Sequence, residues 1–209
     1  MKRKAVFLDK DGTLIEDRPF DRIPEHIEWM PGTIDGLRRL HALGYALIVV
    51  SNQGGVAYGR FTVEDLLREE LGLRAKLAQF GVPLTGYYYC PHHPQGSVPP
   101  FSGDCTCRKP NPGLLIQAAH DLNVDLTQSW MIGDILHDVE AGRAAGCRTI
   151  LLTNGNETEW NLTPARWPDF IADEVLEAAR LITNTDLIAP TNDRVHKTTD
   201  QGAPNDEYD

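Results

Sequence analysis

Two carboxylates two residues apart are the first chemistry this chain offers. Asp9-Lys10-Asp11-Gly12-Thr13 follows the short apolar run Ala5-Val6-Phe7-Leu8. On extended backbone, residues i and i+2 point the same way. One such carboxylate can attack phosphorus and form an aspartyl-phosphate. The other, protonated, can donate to the leaving oxygen and later activate water. Gly12 allows a tight turn whose N–H groups can face phosphate oxygens. Standing alone, the same residues would also make an ordinary polar turn.

Three further segments carry complementary groups. Ser51-Asn52-Gln53-Gly54-Gly55 supplies a hydroxyl and backbone N–H groups for a phosphate oxygen. Arg108-Lys109-Pro110 supplies cations for equatorial phosphoryl oxygens, Lys109 as a point charge and Arg108 as a bidentate donor. Asp134, in Gly133-Asp134-Ile135-Leu136-His137-Asp138, could complete an oxygen site for Mg²⁺ with Asp9. It could equally N-cap the helix that follows. Asp138 could orient Lys109.

A fourth segment suits a different metal. Cys90-Pro91-His92-His93 and Cys105-Thr106-Cys107 offer three thiols and an imidazole, from either His92 or His93. Two such pairs separated by a loop suit a tetrahedral structural Zn²⁺. Residues 90–111 hold five prolines and two glycines, so a metal staple would replace secondary structure there. Arg108 and Lys109 directly follow Cys107, so the staple would also fix them. Cys147 stands apart and reads as a core thiol.

The elements that must hold these groups are legible from apolar spacing. Strands are expected at 4–8, 46–50, 86–89, 130–132, 148–152 and 170–171. Helices are expected at 33–43, 62–80, 112–122, 138–145 and 174–182, with Thr62 and Asp65 as a capping box. Alternating strands and helices make an α/β fold with a doubly wound, Rossmann-like parallel sheet. Such sheets bind ligands beyond the carboxyl ends of their strands. Each chemical segment falls at such an end or opens a helix. Residues 184–209 carry six acids against two bases and no apolar period, so they read as a disordered acidic tail.

Composition narrows the classes. The chain has 209 residues, 20 basic and 30 acidic, for a net charge of −10. That argues against a nucleic-acid binder or an anionic membrane surface as partner. No stretch has the roughly 18 apolar residues of a membrane span, and the apolar run after Met1-Lys2-Arg3-Lys4 is too short for a signal peptide. A cytosolic protein is expected, and a monomer.

Taken in order, D-x-D-G-T, S-N-Q, R-K-P and G-D-x-x-x-D resemble the haloacid dehalogenase (HAD) superfamily of phosphatases, over about residues 4–182. The resemblance implies one HAD-like domain over residues 1–183. Asp9 would be the nucleophile and Asp11 the general acid/base. Ser51 and Lys109 would hold the phosphoryl group, joined by Asn52 and Arg108. Asp9, the Asp11 carbonyl and Asp134 would bind a catalytic Mg²⁺, with Asp138 behind them.

The zinc loop, 90–107, and Ser51-Asn-Gln-Gly-Gly-Val-Ala-Tyr-Gly-Arg-Phe-Thr are similar to D-glycero-D-manno-heptose-1,7-bisphosphate 7-phosphatases. Histidinol-phosphate phosphatases share the loop less closely. That similarity selects Cys90, His92, Cys105 and Cys107 as zinc ligands. It implies a small phosphorylated sugar substrate and no large cap domain. Ile135 and Tyr58 stand where the heptose enzymes usually have Lys and commonly Arg. The rival classes are a receiver-like phospho-Asp signalling domain and a phosphate-binding protein. A receiver does not need D-x-D or the zinc loop, and a binder does not need Asp11.

Overall fold

Six strands follow the apolar runs: β1 (Ala5–Leu8), β2 (Ala46–Asn52), β3 (Gly86–Cys90), β4 (Trp130–Gly133), β5 (Arg148–Leu152) and β6 (Phe170–Ala172). All pair in parallel, in the order β3-β2-β1-β4-β5-β6. The computed structural model describes residues 2–188.

Strand β1 shows why helices lie on both faces. All four of its residues are buried, and successive side chains leave on opposite sides. Ala5 and Phe7 pack with Leu114 and Leu115 of α3 (Gly113–Asp121) and Ala141 of α4 (Leu136–Ala145). Val6 and Leu8 join the opposite cluster, with Leu37 of α1 (Thr33–Ala42), Leu73 of α2 (Val63–Gln79) and Ile182 of α5 (Val175–Ile188). A strand covered on both sides must be apolar throughout. Full burial of Phe7 or Leu8 contributes about 1.5–3 kcal/mol each.

Helix starts obey local rules. The Asp65 N–H donates to Thr62 Oγ1 at 3.2 Å, and the Thr62 N–H donates to Asp65 Oδ2 at 2.8 Å, which closes the expected capping box. Helix α4 starts two residues earlier than the sequence suggests, at Leu136. The Ile135 N–H donates to Asp138 Oδ2 at 3.3 Å, so Asp138 serves that helix start in place of Asp134.

From β1 the sheet extends through β2 to β3 on one side, and from β4 through β5 to β6 on the other. That reversal opens a crevice beyond the carboxyl ends of β1 and β4. Asp9 directly follows β1 and Asp134 directly follows β4. The Asp9 N–H donates to the Ile132 carbonyl at 2.9 Å, which ties the two exits together.

One boundary differs from expectation. Helix α5 runs through Ile188, so residues 184–188 belong to the folded domain and not to a tail. Asp186 holds this last turn: it lies 2.8 Å from Lys4 Nζ and 3.0 Å from the Tyr45 hydroxyl. Those partners are distant in sequence, so a local reading misses them. The rest of the expected tail, 189–209, lies outside the described residues. Residues 14–31 carry a 3₁₀ turn, Pro24–His26, and an isolated antiparallel bridge between Ile15 and Trp29, and form no separate cap. Among the described residues no helix is long and apolar enough to cross a membrane.

Candidate active site

Lys109 is the hub of the crevice. Its ammonium lies 2.5 Å from Asp9 Oδ1 and 2.6 Å from Asp138 Oδ1, and donates to the Val50 carbonyl at 2.9 Å. All three side chains are buried. Burial disfavours the Lys109 charge, yet Asp138 and Asp9 hold its pKa above the ordinary lysine range. Asp138, expected as an orienting group for Lys109, is brought against it.

Asp134 completes a carboxylate cluster. Oxygens of Asp9, Asp134 and Asp138 all lie within 4.8 Å of one another. Thr13 Oγ1 donates to Asp134 Oδ1 and Asn156 Nδ2 to Asp134 Oδ2, each at 2.8 Å. The Asp134 carboxylate therefore turns into the site and does not cap α4. Burial, reinforced by Asp138, pushes its pKa up to about 6. Burial also raises Asp9 well above the carboxylate range; Asp138 and Asp134 add to this, and Lys109 opposes it. Gly12 makes the close approach possible. Its φ is +83°, and a Cβ there would stand 2.2 Å from Asp134 Oδ2.

This donor set suits a hard divalent cation. Three buried carboxylates share one ammonium, which leaves negative charge uncompensated. Oxygen donors with excess charge are what Mg²⁺ takes.

Asp11 sits in a different environment. Gln53 Nε2 donates to Asp11 Oδ2 at 2.7 Å, while Lys10 Nζ and Arg22 Nη1 lie 3.2 and 3.4 Å from Oδ1. Burial would raise its pKa, but Lys10, Arg22 and the Gln53 bond hold it below the ordinary value. The two motif carboxylates are thus driven in opposite directions.

Ser51 is buried, and its Oγ accepts from the same Gln53 amide at 2.8 Å. Asn52, expected among the phosphate-binding groups, lies against the Lys109 backbone. Its Nδ2 donates to the Lys109 carbonyl and its Oδ1 accepts the Lys109 N–H, both at 3.0 Å. Both ends of its amide are occupied by the Lys109 backbone, so it fixes Lys109. Arg108 lines a cavity of about 250 Å³ with Lys109, Asn111 and His137, and donates to the His92 carbonyl at 3.3 Å.

The metal loop converges as expected. Cys90 and Cys107 Sγ are 3.0 Å apart, Cys105 and Cys107 3.3 Å, and Cys90 and Cys105 3.5 Å. His92 Nδ1 lies 3.5 Å from Cys107 Sγ and 3.8 Å from Cys90 Sγ. A tetrahedron of Zn–S bonds has edges of roughly 3.8 Å, so these atoms need only small outward shifts to hold Zn²⁺. His93 faces elsewhere: its Nδ1 lies 2.9 Å from the Tyr58 hydroxyl and accepts the Gln95 N–H at 3.1 Å. Cys147 is buried in the sheet core and is not among the four grouped ligands.

Several groups at the site escaped the sequence reading. Lys10, Arg22, Gln53 and Glu69 surround Asp11, and Thr13 and Asn156 hold Asp134. Glu69 had a signal. It is a charged residue on the stripe of α2 that also buries Leu66, Leu73 and Leu77. Arg22 and Asn156 lie in loops with no period or motif.

Comparison with known proteins agrees with this geometry. Residues 106–178 match the HAD-hydrolase-like family model. The D-glycero-beta-D-manno-heptose-1,7-bisphosphate 7-phosphatase of Yersinia pestis is 45% identical over 148 residues, covering 71% of this chain and 79% of that protein. The same-named protein of Photorhabdus laumondii is 37% identical over 181 residues, covering 87% of this chain and 90% of its own length. The D,D-heptose 1,7-bisphosphate phosphatase from B. bronchiseptica, solved with magnesium and phosphate, superposes with a TM-score of 0.72 at 26% identity. That match covers 87% of this chain and 99% of the other. With these relatives and the shared arrangement of acids, lysine and parallel sheet, this chain belongs to the D-glycero-beta-D-manno-heptose-1,7-bisphosphate 7-phosphatase family of HAD-like phosphatases.

Proposed function

We propose that this phosphatase removes the 7-phosphate of D-glycero-beta-D-manno-heptose 1,7-bisphosphate through a phosphoryl group carried on Asp9. The observation that carries the mechanism is the buried Asp9–Lys109–Asp138 array beside Asp134. The substrate rests on the names of the relatives.

Asp9 attacks phosphorus as its bond to the leaving oxygen breaks. The Asp11 carboxyl gives its proton to that oxygen. Water then attacks phosphorus, passes its proton to Asp11, and the Asp9–phosphorus bond breaks. Lys109 offsets charge on the transferring group while Asp138 and Asn52 hold it in place. The Ser51 hydroxyl donates to a phosphoryl oxygen, and Arg108 binds the substrate at the cavity rim. The incoming phosphoryl dianion opposes Lys10 and Arg22, which favours the protonated Asp11 that the first step requires.

Asp9, Asp134 and the Asp11 carbonyl would hold Mg²⁺, which supplies positive charge against the dianion and the clustered acids. Cys90, His92, Cys105 and Cys107 would hold Zn²⁺ as a staple, which fixes the direction in which Arg108 and Lys109 leave the loop.

The test is phosphate release with Mg²⁺ across a panel: both anomers of the heptose bisphosphate, histidinol phosphate and simple sugar monophosphates. The proposal expects the beta heptose bisphosphate to give the highest kcat/KM, with loss of the 7-phosphate alone. A higher kcat/KM on histidinol phosphate would move the substrate assignment to that class and leave the mechanism standing.

A further inference from the structure

We propose that Arg22 is a positioning residue for Asp11, fixing through Glu69 the direction in which the Asp11 carboxyl meets the leaving oxygen. The inference rests on the assignment of Asp9 as nucleophile and Asp11 as proton donor.

Arg22 arrives from the loop that follows the D-x-D segment, yet its side chain is only 9% exposed. Nη1 lies 3.0 Å from Glu69 Oε1 and 3.4 Å from Asp11 Oδ1. The guanidinium carbon stands 4.7 Å from the centre of the Phe61 ring. A Cβ on Gly55 would lie 2.2 Å from that ring, so Phe61 reaches this place only beside a glycine. The loop is docked next to the site by Pro24, which packs against Gly72 of α2. Glu69 Oε1 also takes Lys10 Nζ at 2.6 Å, so one carboxylate oxygen anchors both cations that face Asp11 Oδ1.

As a stabilising device this network is poor. Buried ion pairs seldom recover their desolvation cost. Here, in addition, Arg22 Nε and Glu69 Oε2 are buried with no hydrogen-bond partner. Incomplete satisfaction costs stability. What the network does specify is geometry. The rigid guanidinium is held over the Phe61 ring, so Nη1 can fix a carboxylate's orientation where a flexible ammonium would not. Gln53 holds the other Asp11 oxygen. Together they leave the carboxyl little rotational freedom.

Direction matters most where the proton is needed. In the first step Asp9 bonds to phosphorus, and the breaking P–O bond leaves its electron pair on the leaving oxygen. An alkoxide must take the Asp11 proton as it departs; p-nitrophenolate is stable without one. The quantity kcat/KM reports this step for both kinds of ester, because it ends at the first irreversible event.

The experiment compares kcat/KM for a sugar phosphate and for p-nitrophenyl phosphate in the wild type, Arg22→Met and Arg22→Lys, with melting temperatures for each. Arg22→Met is expected to lose at least tenfold more on the sugar phosphate than on the aryl ester, with Arg22→Lys between it and the wild type. Equal losses on both esters, or no loss on either, would overturn the inference. If Arg22→Met does not fold, Arg22→Lys decides: a shift in the same ratio supports it, and parallel losses reject it. Full turnover by Asp9→Asn would strike the underlying mechanism instead, and so stays distinguishable from failure of the Arg22 assignment.

Discussion

The Lys109 ammonium lies 2.5 Å from the Asp9 carboxylate although 100 residues separate them in sequence. The contact exists because β1 ends beside β2, whose Asn52 grips the Lys109 backbone on both sides. If this grip is Asn52's role, Asn52→Ala should lower kcat by about 10–100-fold through misplacement of Lys109. KM should change little. A phosphate-binding Asn52 would show the reverse pattern, a raised KM at nearly unchanged kcat, and steady-state kinetics separate the two.

Removing the lysine itself has a second consequence. Lys109→Met leaves Asp9 and Asp138 buried without their cation. Loss of one partner from a buried ion pair costs on the order of 3–5 kcal/mol. Urea unfolding should show a loss of that order in metal-free buffer and a smaller one with Mg²⁺ present. A midpoint equal to wild type would contradict the pairing.

Asp134 sets a pH dependence. Its pKa rises from 3.8 to about 6 on folding, so the native protein retains a proton that the unfolded chain has released. Asp134's own contribution to the stability of the metal-free protein, read as the difference between wild type and Asp134→Asn, should therefore fall as pH rises from about 4 to about 6, by on the order of 3 kcal/mol. Mg²⁺ should reverse that loss above pH 6, and its affinity should weaken as pH falls below 6 because protons compete for the same oxygens. Unfolding midpoints in EDTA and in Mg²⁺ across pH 4–8 check both halves. A wild-type minus Asp134→Asn difference that rises through this window would be the wrong sign.

The two adjacent histidines should separate cleanly. His92 Nδ1 joins the thiols, whereas His93 Nδ1 is occupied by Tyr58 and the Gln95 N–H. His92→Ala and Cys107→Ser should lose zinc and melt lower together, and His93→Ala should keep its zinc. Elemental analysis of the purified variants decides this. Full zinc in Cys107→Ser would reject the ligand set.

The fold was legible because burial on two faces leaves a strong mark. Short β-branched runs such as Ala46-Leu-Ile-Val-Val50, set between helical patterns, read as strands of a parallel sheet covered on both faces. Motif groups at strand ends were legible for the same reason, since Asp9 and Asp134 each follow such a run. The partners of Asp11 were not. Arg22 is delivered by an irregular loop, and Glu69 by a helix 58 residues from Asp11, and neither position follows from spacing. The grip of Asn52 on the Lys109 backbone was not legible, because a side chain at a strand end can face either a ligand or a neighbouring backbone, and sequence does not distinguish them. The α5 terminus was missed because Lys4 and Tyr45, which hold Asp186, come from the far end of the chain.

The most direct test is to quench the enzyme during turnover of the heptose bisphosphate with Mg²⁺, reduce with borohydride, and map the peptide bearing residues 9–13 by mass spectrometry. A phosphoryl group carried on Asp9 predicts homoserine at position 9, its absence in Asp9→Asn, and loss of phosphate release in that variant. Full phosphate release by Asp9→Asn, with no modified residue at position 9, would contradict the mechanism.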